Sequence, residues 1–97
     1  MSRRYTHMLM VPDQVTALIR NMHPSLKKRV RAALKAILTD PSSGKALRNE
    51  LAWLQSYRVG TFRIIYRVVS GKNVELVAVG PRKRIYDETY KILKKTG

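Results

Sequence analysis

Residues Leu54 to Tyr90 contain two β-hairpin patterns that lead directly into a basic segment. From about Trp53 onwards, apolar residues recur at every second position, which is the period of a β-strand. Turns are predicted at Val59-Gly60-Thr61-Phe62 and at Ser70-Gly71-Lys72-Asn73, because glycine adopts the backbone conformations that two-residue turns require. The pattern therefore predicts three consecutive antiparallel strands, the last of which ends at Gly80-Pro81.

The segment before these hairpins predicts one strand and two helices. Loose alternation indicates a strand over Arg4 to Val11, and Pro12 is well placed to begin a helix that ends at about residue 22. A second helix is predicted from about Leu26 to Thr39, with Ser25 as its N-cap. Apolar residues at helical spacing indicate that both helices pack on the sheet as a hairpin; they are Val15, Leu18, Ile19, Met22, Leu26, Val30, Ala33, Leu34, Ile37 and Leu38.

A chain of 97 residues is predicted to form a single domain over residues 1–97. A domain of this size buries enough surface for one helix-on-sheet core, and we expect no second core. The predicted fold is α+β: an N-terminal strand and a helical hairpin packed on a mostly antiparallel four-stranded sheet. A short C-terminal helix is predicted to follow, with an apolar stripe formed by Ile85, Tyr86, Tyr90, Ile92 and Leu93.

The strand register predicts that several arginines meet at one end of the sheet. If both turns have two-residue loops, Arg58 lies opposite Arg63, and pairing of Val69 with Val74 places Arg63 opposite Gly80. Directly opposed residues share a face of the sheet. Arg58, Arg63 and the run Arg82-Lys83-Arg84 are therefore expected to converge, with Ser56, Ile65 and Arg67 on the same face. The opposite face is expected to pack against the helices and to carry Tyr57, Phe62, Ile64, Tyr66, Glu75 and Val77.

The composition points to a polyanionic partner. The sequence has 20 Lys and Arg against 6 Asp and Glu, a net charge of +14, and repulsion at this charge density destabilises a compact domain. Nucleic acid is the first expected partner and an acidic protein the second. The chain has no cysteine, which excludes disulfides and thiolate metal sites. No apolar run is long enough to span a membrane, and no signal peptide is recognised, so a cytoplasmic location is expected.

The arginine cluster predicts a phosphate-binding site. Like charges opposed on a sheet are unfavourable, and a bound phosphate explains them because guanidinium binds it bidentately and stays charged. The alternative is that these arginines only form a solvated face. Tyr86 and Tyr90 lie four residues apart, and they either dock the terminal helix or act on the nucleic acid by stacking or proton transfer.

The sequence offers little support for other chemistry. His7 and His23 are isolated, and no metal-ligand motif or glycine-rich phosphate loop is present. Glu50 and Glu75 are the carboxylates nearest to the predicted sheet, and neither is predicted to be a catalytic base. No cofactor and no metal ion are therefore predicted.

The C-terminal half of the chain resembles the RelE/ParE superfamily of type II toxin–antitoxin toxins. The resemblance is carried by Leu47-Arg48-Asn49, by Arg58-Val59-Gly60-Thr61-Phe62-Arg63-Ile64-Ile65-Tyr66, and by Val79-Gly80-Pro81-Arg82 through Tyr86. The helical hairpin at residues 12 to 40 matches the order of elements in the superfamily. The resemblance implies an acidic antitoxin that is disordered before it binds.

In the RelE branch, the resemblance implies a ribosome-dependent messenger RNA endonuclease in which the 2′-OH of the substrate attacks the adjacent phosphorus. It implies catalytic roles for Arg63, Arg82 and Tyr86, or for Tyr90 if a longer linker applies. Contacts to RNA are predicted for Arg58, Arg67, Lys83, Arg84 and Ser56.

Three positions depart from the superfamily pattern and leave alternatives open. Lysines that some members carry on the second strand align with Leu54 and Ser56, and a histidine of related members aligns with Pro81. Lys83, Arg84 and Arg58 could supply the missing charge. The alternatives are a ParE-like poison of DNA gyrase and a non-catalytic RNA-binding or degenerate toxin fold.

Overall fold

The computed structural model describes residues 8–47, 51, 53–69, 73–82, 84–85 and 89–91. These residues include a five-stranded sheet with the strand order β1-β5-β4-β3-β2. The strands are β1 (Met8–Met10), β2 (Lys45–Ala46), β3 (Gln55–Val59), β4 (Phe62–Val69) and β5 (Asn73–Pro81). β1 pairs with β5 in parallel, and the other pairs are antiparallel. The predicted α+β class is confirmed, and β2 adds one strand to the four that were predicted.

Two helices connect β1 to the rest of the sheet: α1 (Asp13–Arg20) and α2 (Pro24–Thr39). The prediction that Ser25 caps α2 is wrong, because the helix begins at Pro24 and His23 Nδ1 accepts the Ser25 N–H at 3.2 Å. Proline suits the first position of a helix, where its missing N–H costs nothing. No helix in the described part of the chain is long and apolar enough to cross a membrane.

The main core lies between the two helices and one face of the sheet. Its buried residues come from α1, α2 and the three long strands: Val15, Val30, Ala33, Ile37, Leu38, Val59, Ile64, Tyr66, Val74, Leu76 and Val79. Leu9 of β1 packs against this core, whereas Leu18, which was predicted to face it, is 45% exposed. The predicted packing of the helices on the face that carries Ile64 and Tyr66 is confirmed.

A second, smaller cluster of buried residues lies on the opposite face of the sheet. It consists of Leu54, Ile65, Val77, Ala78 and Ile85, with Leu47 and Leu51 packed against it. Residues 82, 84–85 and 89–91 have helical backbone conformation, so Ile85 brings the predicted C-terminal helix onto this face. The expectation of a single core is therefore wrong, because the C-terminal segment covers apolar residues on the face that was predicted to carry the arginines.

The β4–β5 hairpin differs from the predicted register and then returns to it. Val69 pairs with Asn73 instead of Val74, so residues 70–72 connect the two strands. A bulge follows, in which Ile65 pairs with Ala78 while Tyr66 pairs with Leu76. The extra residue of the bulge, Val77, offsets the longer connection. Arg63 therefore lies opposite Gly80 as predicted, but Val77 lies in the cluster on the face opposite the helices, and its predicted position was wrong.

Candidate nucleic-acid interface

The tight β3–β4 turn places two arginines side by side. Gly60 has φ of 59°, which favours glycine, and Val59 pairs with Phe62 across the turn. Arg58 and Arg63 are consequently direct cross-strand partners, as predicted. The backbone N–H of Arg82 donates to the carbonyl oxygen of Thr61 at 2.8 Å. This bond fixes the start of the C-terminal segment against the same turn.

Arg58, Arg63 and Arg82 converge, because each pair of them lines a common cleft. The site cleft, of about 500 Å³, is lined by Arg63 and Arg82. A second cleft of about 370 Å³ is lined by Arg58 and Arg63, and a third of about 410 Å³ by Arg58 and Arg82. Residues from β3, from β4 and from the start of the C-terminal segment therefore line clefts that share members, which agrees with the predicted position of the three arginines at one end of the sheet.

Arg63 is held by a hydrogen bond within the site. Its Nη1 donates to the hydroxyl oxygen of Ser56 at 3.0 Å, and Ser56 is only 3% exposed. The Nε atom of Arg63 is buried, and no described residue accepts its hydrogen. Leaving a buried donor unpaired is costly. Ser56 thus orients the guanidinium towards the cleft from one side.

The described residues that line the three clefts are strongly cationic. They include Lys45, Arg58, Arg63, Arg82 and Arg84, and no Asp or Glu is among them. Within the described residues, no group of three or more His, Asp or Glu is arranged to hold a metal ion. The arrangement is therefore suited to binding a phosphodiester and stabilising negative charge through guanidinium groups.

Comparison with known proteins identifies the family. The family model for "ParE toxin of type II toxin-antitoxin system, parDE" matches residues 13–86. The chain belongs to this toxin family. No curated protein matches the sequence of the toxin.

Solved structures support the same assignment. A chain of the RelBE2 toxin–antitoxin complex from Mycobacterium tuberculosis is 26% identical, with a TM-score of 0.69 over 79% of this chain and 99% of that chain. A mutant of the E. coli toxin RelE in the free state gives a TM-score of 0.74 at 16% identity, over 94% of this chain and 97% of that chain. The archaeal RelE–RelB complex from Pyrococcus horikoshii gives 0.67 at 20% identity, over 81% and 98%. The RelE-like fold is thereby confirmed.

Lys45 is a cation of the toxin's site that the sequence did not reveal. It lies in β2, directly opposite Ser56 of β3, and is exposed. It lines both the site cleft and the cleft between Arg58 and Arg63. A strand of two residues is too short to show the alternating pattern of a β-strand. The only sequence signal for this part of the site was a lysine between the loop that ends at Gly44 and the apolar Leu47.

Arg67 is not among the residues that line the three clefts. Its Nε donates to Oε1 of Glu75 at 2.5 Å, its Nη2 lies at 2.5 Å from the same oxygen, and its guanidinium carbon is 5.1 Å from the centre of the Trp53 ring. It is four residues from Arg63 along β4, about 13 Å in a strand. The predicted position of Glu75 on the helix-packing face was wrong, because the register of β4 and β5 places it opposite Arg67.

Of the predicted site residues that follow Arg82, only some can be placed relative to the clefts. Arg84 is exposed and lines the cleft between Arg58 and Arg82. Tyr90 is helical and 39% exposed, but it is not among the residues that line the three clefts. Lys83 and Tyr86 lie outside the described residues, so their predicted roles stay predictions.

Proposed function

We propose that the toxin is a ribosome-dependent messenger RNA endonuclease that binds the scissile phosphate in the site cleft. The observation that carries this proposal is the side chain of Arg63, which Ser56 orients through a hydrogen bond and which lines the same cleft as Arg82. A phosphodiester supplies oxygens that accept hydrogen bonds from the arginines. It also supplies the negative charge that balances the opposed guanidinium groups. The matches to RelE structures favour the RelE branch over other branches.

The chemistry that this site favours is attack by the substrate's own 2′-OH on the neighbouring phosphorus. The 2′-oxygen forms a bond to phosphorus as the bond to the 5′-oxygen breaks, which leaves a cyclic phosphate and a 5′-hydroxyl. Arg63 and Arg82 stabilise the additional negative charge on the phosphoryl oxygens in the transition state. In the net reaction one proton leaves the 2′-OH and one is gained by the 5′-oxygen. The superfamily resemblance implies that Tyr86 or Tyr90 assists this proton transfer, with the ribosome orienting the messenger.

An acidic antitoxin is the second proposed partner. The structures of the M. tuberculosis and P. horikoshii proteins are complexes of toxin and antitoxin. The net charge of +14 in this chain would attract an acidic and initially disordered segment, which gains order on binding. Such a segment would cover the arginine-rich face and block access of RNA to it.

Toe-printing on translating ribosomes tests the nuclease proposal. Wild-type toxin is expected to cut the messenger, and Arg63→Ala is expected to lower the cleavage rate by about 100- to 1,000-fold, the usual effect of losing one transition-state donor. Arg31→Ala, which removes an exposed arginine from α2, is the matched control and should cleave normally. An intact messenger with wild-type toxin would contradict the proposal, and equal cleavage by Arg63→Ala would reject the site.

A gyrase poison is the second candidate function. It is favoured by the description of the matching family model, which names ParE, and by Leu54, Ser56 and Pro81 at positions where related nucleases carry basic residues. Excess toxin should then inhibit supercoiling by purified DNA gyrase and leave messenger intact. If neither activity is found, the remaining alternative is a non-catalytic RNA-binding toxin fold, for which expression without antitoxin should leave growth normal.

A further inference from the structure

The position of Lys45 depends on a very short strand. β2 contains only two residues and lies at the edge of the sheet. Its pairing with β3 consists of Lys45 opposite Ser56 and Ala46 opposite Gln55, extended by a bond from Leu47 N–H to the Leu54 carbonyl oxygen at 3.0 Å. Such a short strand holds its position poorly without other contacts. An additional anchor is therefore needed to keep Lys45 beside the cleft.

Tyr66 provides that anchor from the opposite side of the sheet. Its side chain is fully buried in the main core, and its hydroxyl donates to the Pro41 carbonyl oxygen at 2.5 Å. The same hydroxyl oxygen accepts the Gly44 N–H at 3.0 Å. These bonds attach residues 41–44 to β4 immediately before Lys45. The hydroxyl also lies 2.9 Å from Oε1 of Gln55 on β3, so one phenol joins β4, β3 and the segment that enters β2.

Gly44 leaves room for the Tyr66 hydroxyl because it has no side chain. A Cβ atom at position 44 would lie 2.4 Å from the hydroxyl oxygen of Tyr66, closer than two non-bonded atoms can approach. The glycine therefore allows the backbone to approach the phenol closely enough for the hydrogen bond. Lys45 follows directly, so the direction of its side chain is set by a bond made one residue earlier.

Lys45 itself has no competing partner. No described residue forms an ion pair or a side-chain hydrogen bond with its ammonium group, in contrast to Arg67, which is paired with Glu75. Its cross-strand partner Ser56 is occupied by Arg63. The ammonium is thus available to a ligand in the site cleft that Arg63 and Arg82 also line.

We propose that Lys45 is a further cation of the RNA site and that Tyr66 is a positioning residue that holds it there through Gly44. This inference rests on the proposed function. Lys45 binds a non-bridging oxygen of the scissile phosphate and stabilises the charge that develops on it. Leu54 and Ser56 stand where some members of the superfamily carry lysines, so Lys45 of the neighbouring strand β2 supplies a positive charge that these two positions lack.

Single-turnover cleavage of messenger on programmed ribosomes tests both parts. Lys45→Ala is expected to lower the rate by about 100-fold, the effect of removing one transition-state donor, and Tyr66→Phe should lower it less. The double variant should cleave at the same rate as Lys45→Ala. Tyr66 acts only by positioning the Lys45 side chain, so its loss has no further effect once that side chain has been removed. A Tyr66 that only supports folding would instead lower the rate by the same factor in both backgrounds. Lys35→Ala, an exposed lysine of α2, is the control for charge.

The outcomes separate this inference from the proposed function. Normal cleavage by Lys45→Ala, with cleavage abolished in Arg63→Ala, would overturn the role of Lys45 and leave the nuclease intact. If wild-type toxin does not cleave, binding of an unstructured RNA oligonucleotide at several salt concentrations decides the question. Lys45→Ala should then reduce the slope of log affinity against log salt by about 0.7, the value for one phosphate contact to a single strand. An unchanged slope would overturn the inference.

Discussion

Arg58 and Arg63 are direct cross-strand partners on β3 and β4, with no residue between them to separate their charges. Arg63 is held by Ser56, whereas Arg58 is exposed. Opposed like charges destabilise a strand pair. The toxin therefore retains an unfavourable arrangement in its folded state, and a phosphate bound at the proposed site would remove the repulsion.

Substitution of Arg58 should make the toxin more stable and its RNA binding weaker. Arg58→Thr removes the repulsion and places a good strand former on β3, so the free energy of unfolding should rise by about 0.5 kcal/mol. Urea denaturation measures this change. Arg67→Thr is the matched control, since it loses the ion pair with Glu75 and the contact with Trp53 and should lower stability. A lower stability of Arg58→Thr would show that the two guanidinium groups do not repel.

Binding of single-stranded RNA should depend strongly on salt. Five cations line the three clefts, namely Lys45, Arg58, Arg63, Arg82 and Arg84. If each one contacts a phosphate, the affinity should fall by roughly 100-fold between about 50 and 200 mM salt. Fluorescence anisotropy with a labelled oligonucleotide measures the slope. Arg67→Ala should leave the slope unchanged, because that side chain is already paired with Glu75. A reduced slope would show that Arg67 also contacts a phosphate of the RNA.

The first hairpin could be predicted from the sequence because its turn has only one suitable geometry. Gly60 supplies the positive φ, which fixes Val59 opposite Phe62 and hence Arg58 opposite Arg63. The pairing of Arg58 with Arg63 followed from that register, whereas the position of Arg82 depended on the second hairpin.

The second hairpin could not be predicted because two irregularities offset each other. The connection between Val69 and Asn73 is one residue longer than expected, and a bulge at Val77 restores the register before Gly80. A shift of one residue exchanges the faces of a strand. Glu75 was therefore assigned to the wrong face, and its pairing with Arg67 was missed. The register at the other end of the hairpin, where Arg63 lies opposite Gly80, was predicted correctly.

The short strand β2 escaped prediction for a different reason. Its position is set by the bond between Tyr66 and Gly44, a contact between residues that are distant in sequence, and no local pattern reveals it. Lys45 was missed with it.

The contact between Gly44 and Tyr66 predicts that alanine is not tolerated at position 44. Its Cβ would lie 2.4 Å from the Tyr66 hydroxyl oxygen, so the loop or the buried phenol must move. Overpacking of this kind costs about 1–3 kcal/mol, which thermal or urea unfolding would detect. Lys45→Ala, at the next residue and exposed, should change stability by no more than about 0.5 kcal/mol. Equal stability of Gly44→Ala and wild type would show that the loop is not held by Tyr66.

Alkaline pH should destabilise the toxin through Tyr66. Burial raises the pKa of the Tyr66 phenol above its usual 10.0, and the bond from the Gly44 N–H only partly opposes this. Below pH 10.0 the phenol is neutral in both the folded and unfolded states and has no effect on pH dependence. As the pH rises above that value, the unfolded chain loses the proton first, so the stability falls until the folded-state pKa is passed. Urea denaturation between about pH 9 and 11.5 should therefore show a steeper loss for wild type than for Tyr66→Phe, and parallel curves would mean that the phenol is not buried in solution.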